Sequence, residues 1–301
     1  MKRRDFLSLT TLVAGTAALT PLTGVTQTAP QASVEPVWVP LTKDVKTTRI
    51  GFGTGMRGGN RQSDLTRSGY PKALEMLRYA YDQGIRLFDC ADLYGTHNVV
   101  AEALDGKPRD SYVLVSKIWI RPGGIPEAER PDPEITVKRF LRETGTQYLD
   151  VVQIHCMDSS SWTQDYAAAM ESMEKLKKAG LIRAHGISSH SNAATELATE
   201  TKWCDVIHVR INSEGLAMDG NGAEAVEAAV RTTKKAKEAG KGIIAMKVLG
   251  EGRMADDIER RKKSTKFVMD LGCVDVMIVG FTEKEHITEF LANHAAAMAG
   301  S

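Results

Sequence analysis

The chain has 301 residues, of which 42% are hydrophobic and 26% are charged, so it is long enough to bury a full-sized core. Lysine and arginine number 39 against 38 aspartates and glutamates, and no sustained basic stripe is present, which argues against a nucleic acid partner. No CxxC pair occurs, so a zinc or iron–sulfur site built on cysteine is not expected. Spacing leaves disulfides open, but buried free thiols are favoured for the four scattered cysteines, Cys90, Cys156, Cys204 and Cys273.

The N-terminal segment differs in composition from the rest of the chain. Arg3 and Arg4 precede Phe6 and Leu7, and a moderately apolar run rich in Thr, Ala and Gly continues to Leu22. This pattern predicts a twin-arginine-type signal peptide, which occupies residues 1–31 together with the start of a linker. We therefore expect recognition by the export machinery and a periplasmic protein. A structural helix or an uncleaved membrane anchor is the alternative, although the run is short and polar for a span of roughly 20 apolar residues.

Residues 32–46 have the composition of an extended linker, and strand and helix patterns alternate over residues 47–301. The predicted strands are 47–55, 85–89, 111–117, 149–155, 184–188, 205–209, 242–248 and 274–279. The predicted helices are 71–83, a short one around residues 99–104, 131–144, 162–179, 192–200, 222–239, 256–270 and 283–292. Eight such units predict an α/β protein with a single-domain (β/α)8 TIM barrel rather than a doubly wound open sheet, since these barrels typically have roughly 250 residues.

Four polar residues lie at or just after predicted strand ends. The stretch RLFDCADLYG ends a strand at Asp89 and places Tyr94 in the following turn. The strand YVLVSK ends at Lys117, and LDVVQIHC contains His155. Because barrel enzymes place their chemistry at the C-terminal ends of the strands, we expect these four side chains to meet in one cleft.

This set, in this order, resembles the aldo/keto reductase family, and the resemblance extends from about residue 49 to about residue 291. It implies an NAD(P)-dependent oxidoreductase that interconverts a small-molecule carbonyl, an aldehyde or ketone, and its alcohol by hydride transfer. The implied roles are Tyr94 as general acid and base, Lys117 as the ammonium that lowers the pKa of the phenol, and Asp89 as the partner that orients Lys117. His155 would align the carbonyl. The ammonium is needed because the ordinary pKa of tyrosine is about 10.

The resemblance also implies a bound dinucleotide, NADP or NAD. Ser189 stands beside Ser188 where an asparagine is usual, and His208 stands where a glutamine commonly bonds the nicotinamide carboxamide. Met246 replaces a tyrosine that stacks on the nicotinamide, and His286 replaces an arginine that clamps the 2′-phosphate in members that prefer NADP. The preference for NADPH or NADH therefore stays open. The predicted cofactor-binding residues are Gly53, Thr54, Ser188, Ser189, His208, Met246, Lys247, Leu249, Gly250, Gly280, Thr282, Lys284 and His286.

Substrate selectivity is expected from the loops at residues 56–68, 119–129 and 157–162. Trp119 and Trp162 are candidate stacking surfaces for a sugar or an aromatic carbonyl, with core packing as the alternative for each. The family implies a monomer. Since nicotinamide cofactors are not expected outside the cytoplasm, we expect an exported enzyme to load its dinucleotide before export and to keep it.

Two other functions remain open from the sequence. A metal-dependent barrel hydrolase or isomerase would use His155, His190 and His208, which follow three consecutive strands, but it would leave Tyr94 and Lys117 without a role. A non-catalytic barrel that binds a dinucleotide or a sugar would account for the substituted cofactor positions. Such a barrel has no need of a phenol beside a lysine.

Overall fold

Ten strands are present in the computed structural model, which describes residues 35–299. The first two, β1 (Trp38–Pro40) and β2 (Lys46–Thr48), form an antiparallel pair. The other eight are β3 (Ile50–Gly53), β4 (Leu87–Asp89), β5 (Val113–Ile118), β6 (Leu149–Met157), β7 (Ile182–Ser189), β8 (Val206–Arg210), β9 (Gly242–Met246) and β10 (Val276–Val279). They pair in parallel, in chain order, and β10 closes on β3, so the predicted (β/α)8 barrel is confirmed.

Helices follow the strands around the outside of the barrel. Within the described residues they are α1 (Asp64–Arg67), α2 (Tyr70–Asp82), α3 (His97–Ala103), α4 (Pro133–Thr144), α5 (Trp162–Asp165), α6 (Ala167–Lys178), α7 (Asn192–Glu200), α8 (Gly222–Glu238), α9 (Ile258–Asp270) and α10 (Lys284–Ala299). Local sequence sets several ends. The Asp132 side chain accepts a hydrogen bond from the Glu134 amide at the start of α4, and Gly145 ends that helix with φ of 63°.

The structure departs from the sequence prediction at three elements. The predicted linker contains β1, and the β1–β2 turn buries Leu41 and Val45 against the inner residues of the barrel's N-terminal end. The helix predicted at 162–179 is divided between α5 and α6, because Tyr166 has non-helical φ and ψ of −120° and 25°. The last helix is longer than predicted and runs to Ala299.

The two largest apolar clusters of the described residues hold the barrel together. Side chains between the sheet and the surrounding helices form the main core, and a smaller cluster that includes Leu87, Val115 and Ile244 fills the inside of the barrel below the strand ends. All four cysteines are buried and free, which confirms the prediction of free thiols. The signal-peptide prediction over residues 1–31 lies outside the described residues. None of the helices in the described part of the chain has the length and apolar character needed to cross a membrane.

Candidate active site

A buried ion pair lies at the C-terminal end of the barrel. Asp89 is the last residue of β4 and Lys117 lies near the end of β5, and their side chains are 2% and 1% exposed. The Lys117 Nζ donates to Asp89 Oδ1 at 2.5 Å and to the Cys90 carbonyl at 3.0 Å. A buried charge is costly unless it is paired and hydrogen-bonded, and here each ion satisfies the other.

Tyr94 lies above this pair in the turn that follows β4. Its hydroxyl is 3.2 Å from His155 Nε2, and the Lys117 Nζ is 5.1 Å from the centre of its ring. Two glycines allow the ring to sit there. A Cβ on Gly55 would lie 2.2 Å from two carbons of the Tyr94 ring, and one on Gly58 would lie 2.5 Å from Cδ1. The predicted catalytic tetrad is therefore brought together, and the glycines of the loop after β3 fix the position of its phenol.

The electrostatics of the pair and the phenol differ from the simple expectation. Burial opposes ionisation of Asp89, but Lys117 and His208 outweigh it and hold the pKa of this carboxyl below its usual value. Burial, followed by the Asp89 charge, raises the pKa of Tyr94 well above its usual value. Lys117 was expected to lower the pKa of the phenol. The raising effect of burial, followed by that of the Asp89 charge, prevails, so the phenol stays protonated.

His155 completes the polar edge of the site as a neutral imidazole. Burial and the nearby Lys117 charge hold the pKa of His155 well below its usual value. A neutral imidazole has one N–H donor and one acceptor, and the Nδ1 of His155 is buried without a hydrogen-bond partner among the described residues. The Trp119 ring packs edge-on against His155, with centroids 5.4 Å apart.

A second layer of polar residues, which the sequence did not reveal, supports the tetrad. His97 lies on α3, three residues after Tyr94, and its Nε2 is 2.8 Å from the Ser116 hydroxyl, next to Lys117 in β5. Its Nδ1 is 2.8 Å from a carboxylate oxygen of Glu143 on α4. These contacts connect the helix after Tyr94 to the strand that carries Lys117. They fix the two elements relative to each other.

A cavity of about 550 Å³ opens beside the tetrad. Asp89, Tyr94 and Lys117 line one side of it. The other lining residues come from β3, β9 and β10, from the loops that follow these strands, and from α9 and α10. Seven of the predicted cofactor-binding residues line the cavity: Gly53, Met246, Lys247, Leu249, Gly280, Thr282 and His286.

Other predicted cofactor-binding residues have different partners. The Thr54 hydroxyl donates to the Asp89 carbonyl at 2.7 Å. The Ser189 hydroxyl donates to the Ser191 carbonyl and accepts from Thr195. Lys284 forms an ion pair with Glu75 on α2 at 2.5 Å. Thr54, Ser189 and Lys284 therefore have contacts within the protein and do not line the cavity. Gly250 is buried in the turn after β9 and does not line the cavity either.

Ser188 and His208 lie opposite each other in neighbouring strands and are both buried. The Ser188 hydroxyl has no hydrogen-bond partner within residues 35–299, and neither has His208 Nδ1. The His208 Nε2 lies 3.2 Å from Asp89 Oδ1, the oxygen that Lys117 also contacts, although its geometry is not that of a good hydrogen bond. Burial keeps the pKa of His208 below its usual value, so the imidazole is neutral. The histidine in place of glutamine therefore faces the buried ion pair.

Several cavity residues were not predicted from the sequence. Arg57, Arg253 and Arg261 add positive charge to the wall, while Phe281 and Phe290 add aromatic surface. The two phenyl rings meet edge to face at 5.9 Å. In the sequence, the basic residues of the loop after β9 and of the start of α9 were the only indication of a charged cavity wall. The direction of their side chains depends on tertiary packing, which the sequence does not show.

Two further sequence hypotheses have structural outcomes. Trp162 is completely buried and its indole donates to the Ala194 carbonyl at 3.3 Å, so the core alternative holds for this residue and not the stacking surface. Across residues 35–299, no group of three or more histidine, cysteine, aspartate or glutamate side chains is arranged to hold a metal ion. His155, His190 and His208 therefore do not form a shared ligand set.

Comparison with known proteins agrees with this geometry. Residues 49–271 match the Aldo/keto reductase family, and the chain belongs to that family. Aldo-keto reductase YhdN of Bacillus subtilis is 32% identical over 155 residues, which covers 49% of this chain and 45% of that protein. Aldo-keto reductase family 1 member C21 of Rattus norvegicus is 30% identical over 169 residues, which covers 49% of each chain. The chain thus spans about half the length of the curated relatives it matches.

Solved structures show the same fold. An aldo-keto reductase from Klebsiella pneumoniae in complex with NADPH superposes with a TM-score of 0.63 and 22% identity, and the match covers 87% of this chain and 90% of that one. A Pseudomonas aeruginosa protein assigned to the aldo-keto reductases gives a TM-score of 0.70 at 22% identity, over 89% and 98% of the two chains. At these identities the likeness establishes the barrel.

Proposed function

We propose that this chain is an NAD(P)H-dependent carbonyl reductase in which Tyr94 donates the proton. One observation carries the proposal. A protonated phenol, bonded to a neutral His155, stands over the buried Asp89–Lys117 pair at the edge of a 550 Å³ cavity. Family membership supports the reaction class, and relatives solved with NADP or NADPH support a dinucleotide as the occupant of the cavity.

The residues of the cavity fit a nicotinamide dinucleotide. Ser188 presents a buried hydroxyl without a partner in the described part of the chain, as expected of a group that bonds the carboxamide of a ligand. Arg253, which has no ion pair in the described part of the chain, supplies positive charge for phosphates, whereas Lys247, Arg57 and Arg261 are ion-paired with Glu251, Asp64 and Glu289 and would have to exchange these partners to bind a phosphate. Phe281 and Phe290 supply an aromatic surface for a base. The bound dinucleotide would supply the hydride.

The protein's own residues supply the proton and the charge stabilisation. Reduction places negative charge on the carbonyl oxygen while a hydride adds to the carbon, so a proton must reach that oxygen. Tyr94 is the donor, and its raised pKa keeps the proton available at neutral pH. The N–H of neutral His155 is placed to bond the same oxygen. After transfer, the Lys117 ammonium, 5.1 Å from the ring, stabilises the tyrosinate.

The proposed activity includes the reverse reaction, oxidation of the alcohol, in which Tyr94 would act as the base. Oxidation requires the tyrosinate as base, and the raised pKa of Tyr94 makes that form scarce at neutral pH. The substrate is a small aldehyde or ketone, with a carbohydrate carbonyl as one class that would use Trp119, which stays partly exposed beside His155. The absence of an arginine at His286 leaves NADH as well as NADPH as the working cofactor.

Localisation and assembly are part of the same proposal. The sequence of residues 1–31 supports export to the periplasm by the twin-arginine route. That route carries folded proteins, so the dinucleotide would be loaded before export and recharged in place by a second substrate. A monomer is the state that we propose, on the family resemblance.

The test starts from purified protein that has been checked for resident dinucleotide. NADPH and NADH are titrated in parallel by fluorescence, and loss of reduced dinucleotide absorbance is followed with benzaldehyde as the carbonyl. Binding of either dinucleotide and aldehyde-dependent oxidation of it are the expected results. Protein that binds neither and contains none would contradict the proposal.

A further inference from the structure

The guanidinium of Arg210, at the C-terminal end of the barrel, has no carboxylate partner within residues 35–299. Arg210 is the last residue of β8, and its Nη2 donates to His190 Nδ1 at 2.5 Å. Its Nε is buried without a hydrogen-bond partner among the described residues. The imidazole that it contacts is neutral, because burial and then the Arg210 charge lower the pKa of His190 to about 3. An arginine held by a neutral ring keeps its full charge for another ligand.

Short contacts connect Arg210 to β6, the strand that carries His155. Because His190 Nδ1 accepts from Arg210, the imidazole carries its proton on Nε2, which lies 3.4 Å from the Cys156 sulfur. Cys156 directly follows His155 in β6. On its other side, Arg210 pairs in register with Met246, which lines the cavity. Arg210 is thus connected through His190 and Cys156 to the strand that carries His155, and its backbone lies beside Met246 in the strand that reaches the cavity.

The other cations nearby are already paired. Lys247 forms an ion pair with Glu251, and Arg121 donates to Asp158 at 2.7 Å and to the Cys156 carbonyl at 3.0 Å. Asp219 shares a small cleft with Arg210, but this carboxylate accepts from the Asn192 amide instead. Of the cations around Cys156, Arg210 is thus the one whose charge is not balanced by a bonded carboxylate within residues 35–299.

We propose that Arg210 binds an anionic oxyacid group on the substrate, so that the preferred substrates are carbonyl compounds that carry a carboxylate. This inference rests on the proposed reductase function and specifies its substrate class. The planar guanidinium fork matches a carboxylate in a bidentate geometry, which a lysine cannot reproduce. The carboxylate would anchor on Arg210 while the carbonyl oxygen meets Tyr94 and His155.

The kinetic test uses para-carboxybenzaldehyde and its methyl ester, which differ only in the charge. The wild-type protein should reduce the acid with a higher kcat/KM than the ester. In Arg210→Met the KM for the acid should rise about ten- to a hundredfold, as expected for loss of a charge-assisted hydrogen bond, while the ester changes less than about twofold. Arg210→Lys should recover part of the loss.

Arg121→Met is the matched control, because it removes a neighbouring cation that is already paired. It should change acid and ester together and leave their ratio as in the wild type. Equal losses of acid and ester in Arg210→Met would show that Arg210 only supports His190, and would overturn the inference. A rise in the dissociation constant of NADPH, with the acid-to-ester ratio unchanged, would assign the arginine to the dinucleotide and overturn it as well.

A calorimetric titration with benzoate tests the subsite without turnover. Binding to the wild type that is lost in Arg210→Met supports the inference even if benzaldehyde is not reduced, and that combination would separate failure of the proposed reaction from failure of the anion site. Absence of benzoate binding to the wild type, together with no preference for the acid in turnover, would overturn the subsite and leave the reductase function standing.

Discussion

The two halves of the barrel rim differ in how completely their polar groups are bonded. In the half formed by β4 to β6, Asp89, Lys117 and Tyr94 are held by short contacts to one another, to His155 and to the Cys90 carbonyl. In the half formed by β7 to β10, the Ser188 hydroxyl has no hydrogen-bond partner in the part of the chain that the structure describes, and Ser189 bonds to its own loop.

The comparison separates the predicted catalytic tetrad from the predicted dinucleotide contacts. The half formed by β4 to β6, called the bonded half below, contains each residue type that the family resemblance requires. The half formed by β7 to β10 has substitutions at His208, Met246 and His286. A closed network of buried charges tolerates few changes, because removing one member leaves another uncompensated. A binding wall formed by loops tolerates more. The chain therefore has the residue types that the family resemblance requires at the predicted tetrad, while several residues at the predicted dinucleotide contacts differ from it.

The largest effect is expected from Tyr94→Phe. Loss of the phenolic proton should lower kcat for aldehyde reduction by about 10²–10⁴, the usual contribution of a general acid. The dissociation constants of NADPH and NADH should stay within about twofold, since the hydroxyl belongs to the bonded half. Rates measured under saturating dinucleotide, with fluorescence titration of the same preparation, test both statements. Turnover equal to the wild type would remove Tyr94 from its role as acid.

Lys117→Met tests whether the bonded half is a coupled unit. The substitution leaves Asp89 buried without its cation, which should cost about 3–5 kcal/mol in the free energy of unfolding. The double variant Asp89→Asn with Lys117→Met should recover most of that loss, because no uncompensated charge remains. Urea unfolding of the three proteins measures the difference. Equal losses in the single and double variants would show that the pair is not coupled.

Low pH should lower the free energy of unfolding through protonation of Glu143, whose partner His97 contacts β5 in the bonded half. Burial opposes ionisation of this carboxyl, but the hydrogen bond to His97 and the Arg139 charge lower its pKa to about 2. A folded-state pKa below the unfolded value of about 4.3 means that the stabilisation is present above that pH and is lost as the pH falls toward 2. In Glu143→Gln the loss over that window should be smaller by about 1–3 kcal/mol. Urea unfolding at several pH values tests this, and parallel curves for the two proteins would contradict it.

Gly55→Ala probes the placement of the phenol rather than its chemistry. The added Cβ would lie 2.2 Å from the Tyr94 ring, so the hydroxyl must move away from His155. Misplacement by about an ångström can cost up to roughly a hundredfold in rate, and we expect kcat to fall on the order of ten- to a hundredfold. Gly59→Ala is the control in the same loop, since apart from its two chain neighbours no residue among 35–299 has an atom within 4 Å of its added Cβ. If both variants retained wild-type kcat, the glycine contact would not matter for catalysis.

The tetrad was predictable because its signals are local. Asp89 is the last residue of β4, and Lys117 and His155 lie close to the ends of β5 and β6. The barrel topology brings consecutive strand ends together. Tyr94 needed only its spacing from Asp89. The supporting role of His97 was not predictable, because it depends on Glu143, which lies 46 residues away.

Fewer of the predicted cofactor-binding residues lie at the cavity, because the contacts of their side chains also depend on residues that are distant in the sequence. Ser189 and Lys284 matched positions in a family pattern, but their bonds go to the Ser191 carbonyl and to Glu75, the latter 209 residues away along the chain. The β1–β2 pair was missed because strands of three residues carry too short an alternation to be recognised. Side-chain direction at loop and helix starts is set by packing, which sequence patterns do not encode.

The smallest effect is expected from His286→Arg, which tests whether the changed wall sets cofactor choice. His286 lies at the start of α10, lines the cavity, and has its Nδ1 3.1 Å from the Thr282 hydroxyl. An arginine there would restore a permanently charged, bidentate ligand for the 2′-phosphate. The ratio of NADPH to NADH affinity should rise by up to about tenfold, the equivalent of about 1.4 kcal/mol, while kcat with saturating cofactor stays unchanged. His286→Gln serves as the uncharged control and should leave the ratio near that of the wild type. An unchanged ratio in His286→Arg would mean that Arg261 or another cation of the wall already binds the phosphate, and that the two halves of the rim are less different in cofactor recognition than their bonding indicates.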